Sequence, residues 1–421
     1  MKANVKTRKI NLEKVLVFGC DVGKAEITAY SENEKDSLLI SHSDRFRNTN
    51  SSIILKLKEY ERLALSRGYE GMCILCEPSG GYETRLMKMA RKRGNLAFYV
   101  SSEATHKLRV VESNDSEKSD EKDPRIIHLL GKMDKVLKFR EMNAARSMLK
   151  ELDGIYENES LKASKLRNEI SSLVERLFPD LETGRKFLYG KTGAALVSNF
   201  TLSPWKIVEC GYKQFISTMK RSGTRDTAFL AKIWNCAKSS INQIMSVWER
   251  EILEERLAEL YEDWQRHEVR KEKIKMKMME LCSRFPEYHK LDKKELMSFP
   301  LVRVLAELGD PLDFSDQKQA LRYAGLNIRR MSSGKYEGKN RISKKGNPLL
   351  RKVLYQYVFS KMIKGGQVFQ SYFEKKKKEK DIGLRAMVAV MRKTLKMIFG
   401  VARSSSTFDR ERVFRSEGMA A

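Results

Sequence analysis

Residues 15–24, Val-Leu-Val-Phe-Gly-Cys-Asp-Val-Gly-Lys, decide the fold. An apolar run of this length between charged residues is typical of a buried β-strand. The run ends at Asp21, so a carboxylate emerges where the strand stops. A second apolar run, Met72 to Cys76, ends in the same way at Glu77. The pattern predicts two buried strands, each followed by an acid.

The elements around these two runs indicate the fold class. Short strands are predicted over 26–30 and 37–41, and a helix over about 52–67. After the second run, the pattern predicts a helix over 82–93 and a strand over 96–100. Three adjacent strands followed by helix, strand, helix and strand indicate a mixed α/β domain. This order matches the ribonuclease-H-like fold.

The rest of the chain is expected to be mainly helical. Residues 141–179 and 242–284 have helical, charge-rich patterns that favour a spacer with a coiled-coil-like arm. Residues 180–240 are helical by composition, and no role is predicted for them. We expect three regions: an α/β domain at 1–145, a helical linker with the arm at 146–285, and a basic, mainly α C-terminal domain at 286–421.

Charge points to a polyanionic partner. The 421 residues include 82 Lys and Arg against 55 Asp and Glu, a formal net charge of +27. Between positions 318 and 400, 22 basic residues stand against four acidic ones, which is two thirds of the net charge in one fifth of the chain. This concentration argues against an acidic scaffold and predicts a nucleic-acid partner.

Membrane and disulfide chemistry are not expected. No uncharged apolar run approaches the roughly 18 residues that a spanning helix needs, and residues 1–14 lack the apolar stretch of a signal peptide. We therefore expect a cytoplasmic protein without a membrane partner. The six cysteines are widely scattered, which is unlike a disulfide framework. Cys73 and Cys76 fall in a buried strand that points them to opposite faces, so a structural role is predicted.

Four carboxylates form the candidate metal site: Asp21, Glu77, Asp120 and Asp123. If the first and fourth strands are neighbours, their acids share one edge of the sheet, and two acids three residues apart share one helix face. Four converging carboxylates repel one another unless divalent cations lie among them. Oxygen ligands favour Mg²⁺ or Mn²⁺. A turn role for Asp21 and an N-cap role for Asp120 stay open.

Two sets of motifs resemble the DEDD transposases, which are insertion-sequence recombinases with a RuvC-like N-terminal domain, related to pilin-gene invertases. The first set is Asp21-Val22-Gly23-Lys24, Glu77-Pro78-Ser79-Gly80-Gly81-Tyr82 and Lys118-Ser119-Asp120-x-x-Asp123. The second, similar to the family's C-terminal domain, includes Ser332-Ser333-Gly334 and Arg341-Ile342-Ser343-Lys344-Lys345-Gly346-Asn347-x3-Arg351. A loop is expected around the serines because of the clustered glycines.

The resemblance implies a mechanism and partners. Ser333, with Ser332 as the alternative, would be a nucleophile that links covalently to DNA, while the four acids bind the metal. The site would be assembled between subunits, which implies a homodimer or tetramer. Double-stranded donor and target DNA and a structured bridge RNA would be the partners. Basic residues near the serine are expected to bind nucleic acid: Lys335, Arg341, Lys344, Lys345 and Arg351.

The leading hypothesis is a recombinase that excises and inserts a mobile element. A site-specific DNA invertase with the same residues is one alternative. Another is a metal-dependent Holliday-junction nuclease, in which water is the nucleophile and Ser333 has no catalytic role. A non-catalytic nucleic-acid-binding protein is the third, and it would not need Asp21.

Overall fold

The structure is a computed structural model that describes residues 12–33, 40–113, 122–181, 185–291, 296–329, 332–333, 336–337, 341–363, 367–380, 383–405 and 407–409. The chain divides into two compact units, Met1–Glu141 and Met142–Ala421. In the part of the chain that the structure describes, no helix is both long enough and apolar enough to cross a bilayer.

The first unit is a mixed α/β domain. Its strands are β1 (Val15–Val22), β2 (Glu26–Asn33), β3 (Ile40–Arg47), β4 (Gly71–Cys76), β5 (Leu96–Val100) and β6 (Val136–Lys138). Its helices are α1 (Asn50–Ser66), α2 (Thr84–Lys92), α3 (Ser102–Ser113) and α4 (Lys122–Lys132). One sheet joins the strands in the order β3-β2-β1-β4-β5-β6. The pairs β1–β4 and β4–β5 are parallel and the others are antiparallel.

Both faces of this sheet are covered, as the unbroken apolar runs predict. Alternate residues of β1, such as Leu16 and Phe18, pack with α1 and α2. Val17, on the other face of β1, packs with Ile127 and Leu130 of α4. We call this second face the α4 face. The predicted adjacency of the first and fourth strands is confirmed by the β1–β4 pairing.

Two details of the α/β domain bear on the predictions. The third strand continues to Arg47 rather than ending at 41, because the polar residues after Ile40 pair with β2 along the whole strand. The first predicted residues of this strand, 37–39, lie outside the described residues. Cys73 and Cys76 are buried free thiols. They belong to the two clusters on opposite faces of the sheet, which confirms the structural interpretation.

The second unit is mostly helical. Its helices are α5 (Ala144–Leu177), α6 (Lys191–Phe200), α7 (Pro204–Glu209), α8 (Tyr212–Arg221), α9 (Thr227–Ser240), α10 (Val247–Cys282), α11 (Pro286–Leu291), α12 (Phe299–Leu308), α13 (Gln317–Tyr323), α14 (Pro348–Ile363), α15 (Gln367–Lys380) and α16 (Gly383–Arg403). Its strands are β7 (Ile328–Arg329), β8 (Ser332–Ser333), β9 (Tyr336–Glu337) and β10 (Arg341–Ile342).

The long helices α5 and α10 pack side by side. The ion pairs Arg176–Glu249 and Arg167–Glu268 show that they run antiparallel. Apolar residues of α6 to α9 form one core with the adjoining halves of these two helices. The region without a predicted role is therefore a helical cap on the α5–α10 pair. Both the coiled-coil assignment and the boundary at 285/286 stay predictions.

Ion pairs, one of them fully buried, join α5 to the C-terminal helices. The Arg303 guanidinium of α12 contacts Asp153 and also Glu157, the latter at 2.8 Å. Glu157 also pairs with Lys352 of α14. Desolvation raises the pKa of Asp153 to about 6 although Arg303 lies beside it. Because removing one partner of a buried pair strands the other charge, the Arg303–Asp153 contact holds α12 on α5.

Gly19 is expected to tolerate no side chain. A Cβ there would lie 2.1 Å from the Pro124 carbonyl oxygen and 2.5 Å from the His128 nitrogen. Both are backbone atoms, so Gly19→Ala should push α4 off the sheet and cost about 2 kcal/mol of unfolding free energy. The four tryptophans all lie in the second unit, so hydrogen exchange at β1 and β4 amides is the suitable measurement.

Gly71→Ala is the matched control, because a Cβ at this strand glycine meets no atom within 4 Å. It should change the stability by less than about 0.5 kcal/mol. Equal protection in the two variants would contradict the close packing of α4 on β1.

Candidate active site

Asp21 and Glu77 lie at the ends of neighbouring parallel strands. In the β1–β4 pairing, Cys20 is opposite Cys76. Asp21 is the next residue of β1, Glu77 is the first residue after β4, and both are partly exposed. The pairing therefore brings the two carboxylate-bearing residues side by side at one edge of the sheet.

The strand alternation indicates which face of the sheet Asp21 lies on. Residues two apart in a strand point the same way, so Asp21 is in phase with Val17 and Gly19. Glu77 is two residues after Leu75, and Leu75 packs with Val17 against α4. The strand alternation thus puts Asp21 on the α4 face, and Glu77 is the first residue after β4.

Helix α4 carries a third acid to this face. Asp123 lies in the first turn of α4, next to Pro124, whose carbonyl approaches Gly19 of β1. The His128 Nδ1 lies 3.0 Å from the Val17 carbonyl oxygen, which accepts a hydrogen bond from it. These contacts hold the first turn of α4 against β1, two residues before Asp21.

The carboxylate of Asp123 has a cationic partner. It forms an ion pair with Arg109 of α3, and the exposed fractions of the two side chains are only 8% and 11%. Sequence reasoning missed this arginine, because a single basic residue in a helix carries no signal of its partner. Asp120, the fourth predicted ligand, lies outside the described residues.

The ligating oxygens of the three described acids do not gather as a compact group. Among the described residues, one group has its ligating atoms within 4.8 Å of one another, and it is His42, Asp44 and Glu59. These residues belong to β3 and α1, on the face opposite α4. The Lys56 ammonium lies 2.6 Å from Asp44 and 2.9 Å from Glu59. A resident lysine already balances these carboxylates, so they are a poor metal site.

The loop after Glu77 is held by a buried acid, Glu83, whose exposed fraction is 4%. Its Oε2 accepts hydrogen bonds from the Ser79 N–H at 3.1 Å, the Ser79 hydroxyl at 3.0 Å and the Gly81 N–H at 3.0 Å. Its Oε1 accepts the Tyr99 hydroxyl at 3.0 Å. Gly81 has φ +103°, a conformation that L side chains rarely adopt. An acid just after a Gly-Gly turn was the available sequence signal, and it was missed.

The serines lie in a short hairpin rather than the expected loop. Ser332 pairs with Glu337, and Ser333 pairs with Tyr336. The flanking strands β7 and β10 also pair with each other in antiparallel fashion. The pairing is antiparallel, and Ser333 is the last residue of β8.

Glycines and polar side chains fix the base of this hairpin. Gly325 has φ +67° and Gly346 has φ +144°, and a Cβ on Gly346 would lie 2.3 Å from the Tyr323 carbonyl. The Asn347 side-chain amide donates to Glu307 at 2.6 Å. Arg351 donates to the Gly346 carbonyl at 3.2 Å and to that of Ala324 at 3.1 Å.

The predicted nucleic-acid contacts differ in their surroundings. Arg341, Lys344 and Lys345 are exposed, whereas Lys335 lies outside the described residues. Arg351 is partly buried against the hairpin base, and this burial lowers the pKa of its guanidinium. A structural role for Arg351 is therefore visible, in addition to the contact that sequence reasoning predicts.

Comparison with protein families gives two matches. Residues 18–179 match a DEDD-type family model described as a transposase. Residues 300–374 match the model described as the transposase IS116/IS110/IS902 family. No curated protein matches the chain. The two matched regions together cover more than half of the sequence and include Asp21, Glu77, Asp123 and Ser333.

The fold and the two matches define the class: the chain is an enzyme, a DNA transposase or recombinase, and its substrate is DNA. More narrowly, it is a DEDD-type transposase of the IS110 kind.

Arg109→Ala should destabilise the first unit by about 3 kcal/mol, because it strands the buried Asp123 carboxylate. Adding Asp123→Asn to Arg109→Ala should recover a large part of this loss, since the uncompensated charge is then gone. Hydrogen exchange at β1 amides of the full chain measures both effects.

Lys107→Ala is the control on the same helix, because its ion pair with Glu103 is exposed. Such exposed pairs contribute less than about 1 kcal/mol. If Arg109→Ala and Lys107→Ala cost the same, the Arg109–Asp123 pair does not hold α3 to α4.

Proposed function

We propose that this transposase cleaves and rejoins the DNA of a mobile element by two cooperating groups. The carboxylates of Asp21, Glu77, Asp120 and Asp123 hold Mg²⁺ or Mn²⁺, and Ser333 is the nucleophile. The observation that supports the proposal is the β1–β4 register, in which Cys20 pairs with Cys76 and the next residues along the chain are Asp21 and Glu77. The sheet order β3-β2-β1-β4-β5 supports the assignment of a ribonuclease-H-like, RuvC-like fold.

The donor set fits a hard divalent cation. Asp21 and Glu77 offer oxygen ligands, at adjacent and partly exposed positions that solvent ions can reach. Asp123, in the first turn of α4, would join them when Arg109 releases its carboxylate. Bound divalent ions would supply Lewis-acid polarisation of the phosphate.

The serine step is a transesterification. The Ser333 hydroxyl attacks phosphorus, so a bond forms between Oγ and phosphorus while the bond to one deoxyribose oxygen breaks. That oxygen leaves with a proton, and the DNA end stays attached to the protein until the reverse reaction with another strand releases it. Ser332 is the alternative nucleophile, because it precedes Ser333 in β8.

Basic residues at the hairpin base are suited to hold the DNA backbone. Arg341, Lys344 and Lys345 are exposed there, and guanidinium and ammonium groups bind phosphate by charge and hydrogen bonds. The high positive charge of this region also suits a structured guide RNA, which we propose as a second nucleic-acid partner. We further propose that a homodimer or tetramer is the active form, because the acids and the serine belong to different units of the chain.

Ser333→Ala should abolish the covalent protein–DNA adduct, because alanine has no oxygen to attack phosphorus. The measurement incubates full-length protein with Mg²⁺, DNA and the co-expressed RNA and follows a protease-sensitive DNA band. Ser332→Ala is the matched neighbour and should keep the band.

Cleavage that continues without an adduct in Ser333→Ala would instead support a metal-dependent junction nuclease. A band lost in Ser332→Ala and kept in Ser333→Ala would move the nucleophile by one residue.

Asp21→Asn should reduce Mn²⁺-dependent DNA cleavage by at least about 100-fold, because metal polarisation of the phosphate contributes several kcal/mol. Asp44→Asn is the control, since Asp44 belongs to the carboxylate group that Lys56 already balances. It should leave the cleavage rate within about twofold of the parent. Cleavage that survives Asp21→Asn but not Asp44→Asn would assign the metal to the β3–α1 group.

A further inference from the structure

A buried asparagine lies behind the two candidate ligands. Asn48, between β3 and α1, has an exposed fraction of 7%. Its Nδ2 donates to the Gly23 carbonyl at 2.9 Å and points to the Tyr82 carbonyl at 3.3 Å. Its backbone N–H donates to the Ala25 carbonyl at 2.7 Å. The main-chain carbonyl of Asn48 accepts a hydrogen bond from the Arg85 guanidinium at 2.6 Å.

These hydrogen bonds join the loops that carry the two acids. Gly23 follows Asp21 by two residues, and Tyr82 lies at the end of the turn that begins at Glu77. The paired residues of β1 and β4 end at Cys20 and Cys76. Beyond that point the sheet ladder no longer sets the spacing of the two chains, and the Asn48 amide spans them.

We propose that Asn48 is a positioning residue that sets the separation of Asp21 and Glu77. This inference rests on the proposed function, in which these acids hold the metal. An asparagine suits the task because one nitrogen offers two N–H donors to two carbonyl acceptors. A carboxylate cannot donate, and an alkyl side chain of equal size would leave both carbonyls without this partner.

The anchoring of Asn48 makes the bridge stiff. The hydrogen bonds to Ala25 and from Arg85 hold its main chain on both sides of the peptide unit. Glu83 fixes the turn on the Glu77 side, and the Gly23 N–H donates to the Glu26 carbonyl at 2.9 Å on the Asp21 side. A change at Asn48 should therefore alter the distance between two ordered loops rather than loosen each of them.

The test is direct Mn²⁺ binding to full-length protein without DNA, followed by electron paramagnetic resonance. Asn48→Asp should weaken Mn²⁺ binding by about tenfold, as groups that orient metal ligands commonly do when mutated. Asn95→Asp is the matched control, because the Asn95 amide donates a single 2.7 Å bond to Glu61 at the amino end of β5. Asn95→Asp should bind Mn²⁺ like the parent, although its loss of protection in hydrogen exchange should be comparable to that of Asn48→Asp.

Asp21→Asn in the same titration distinguishes a failure of the proposed metal site from a failure of the positioning role of Asn48. If it leaves Mn²⁺ binding intact, the proposed metal site itself is wrong. If Asp21→Asn abolishes binding while Asn48→Asp binds like the parent, the positioning role is overturned and the metal site stands. Should Asn48→Asp not fold, Asn48→Ser, which keeps one donor, takes its place, and unchanged Mn²⁺ affinity there also overturns the inference.

Discussion

The backbone hydrogen bonds between β1 and β4 are the interaction on which the candidate site depends. They set a register in which Cys20 faces Cys76, and the next residue on each strand is an acid. A slip of one residue in either strand would turn its acid to the opposite face. The apolar residues of both strands resist such a slip, because they are buried on both faces of the sheet.

Packing on one glycine brings the third acid to the same face. The absence of a side chain at Gly19 lets the first turn of α4 reach the backbone of β1. Asp123 comes with that turn, and its buried carboxylate is balanced by Arg109. Strand register and helix packing therefore act together: the register aligns the ends of β1 and β4, and the packing holds the first turn of α4 against β1.

Buried polar side chains hold the backbone where the sheet ladder stops. Glu83 collects donors from the turn after Glu77, and Asn48 spans that turn and the one after Asp21. In the second unit, the hydrogen bond from Asn347 to Glu307 holds the backbone at the base of the serine hairpin. Such support is what a reactive group needs to stay in a productive position.

The alternation of apolar and charged residues was enough to predict the mixed α/β sheet, the neighbouring first and fourth strands and the acids at their ends, since these follow from local periodicity and short-range strand order. The predicted end of β3 was wrong, because an edge strand gains its pairing from the backbone and carries little apolar signal. Arg109, Glu83 and Asn48 could not be found, since their partners are set by packing between distant segments. The packing of the helical cap on α5 and α10 could not be predicted from the sequence for the same reason. Sequence alone determined the buried strands and the acids that follow them, whereas tertiary structure decided which side chains contact those acids and their loops, because such contacts form only when distant segments pack together.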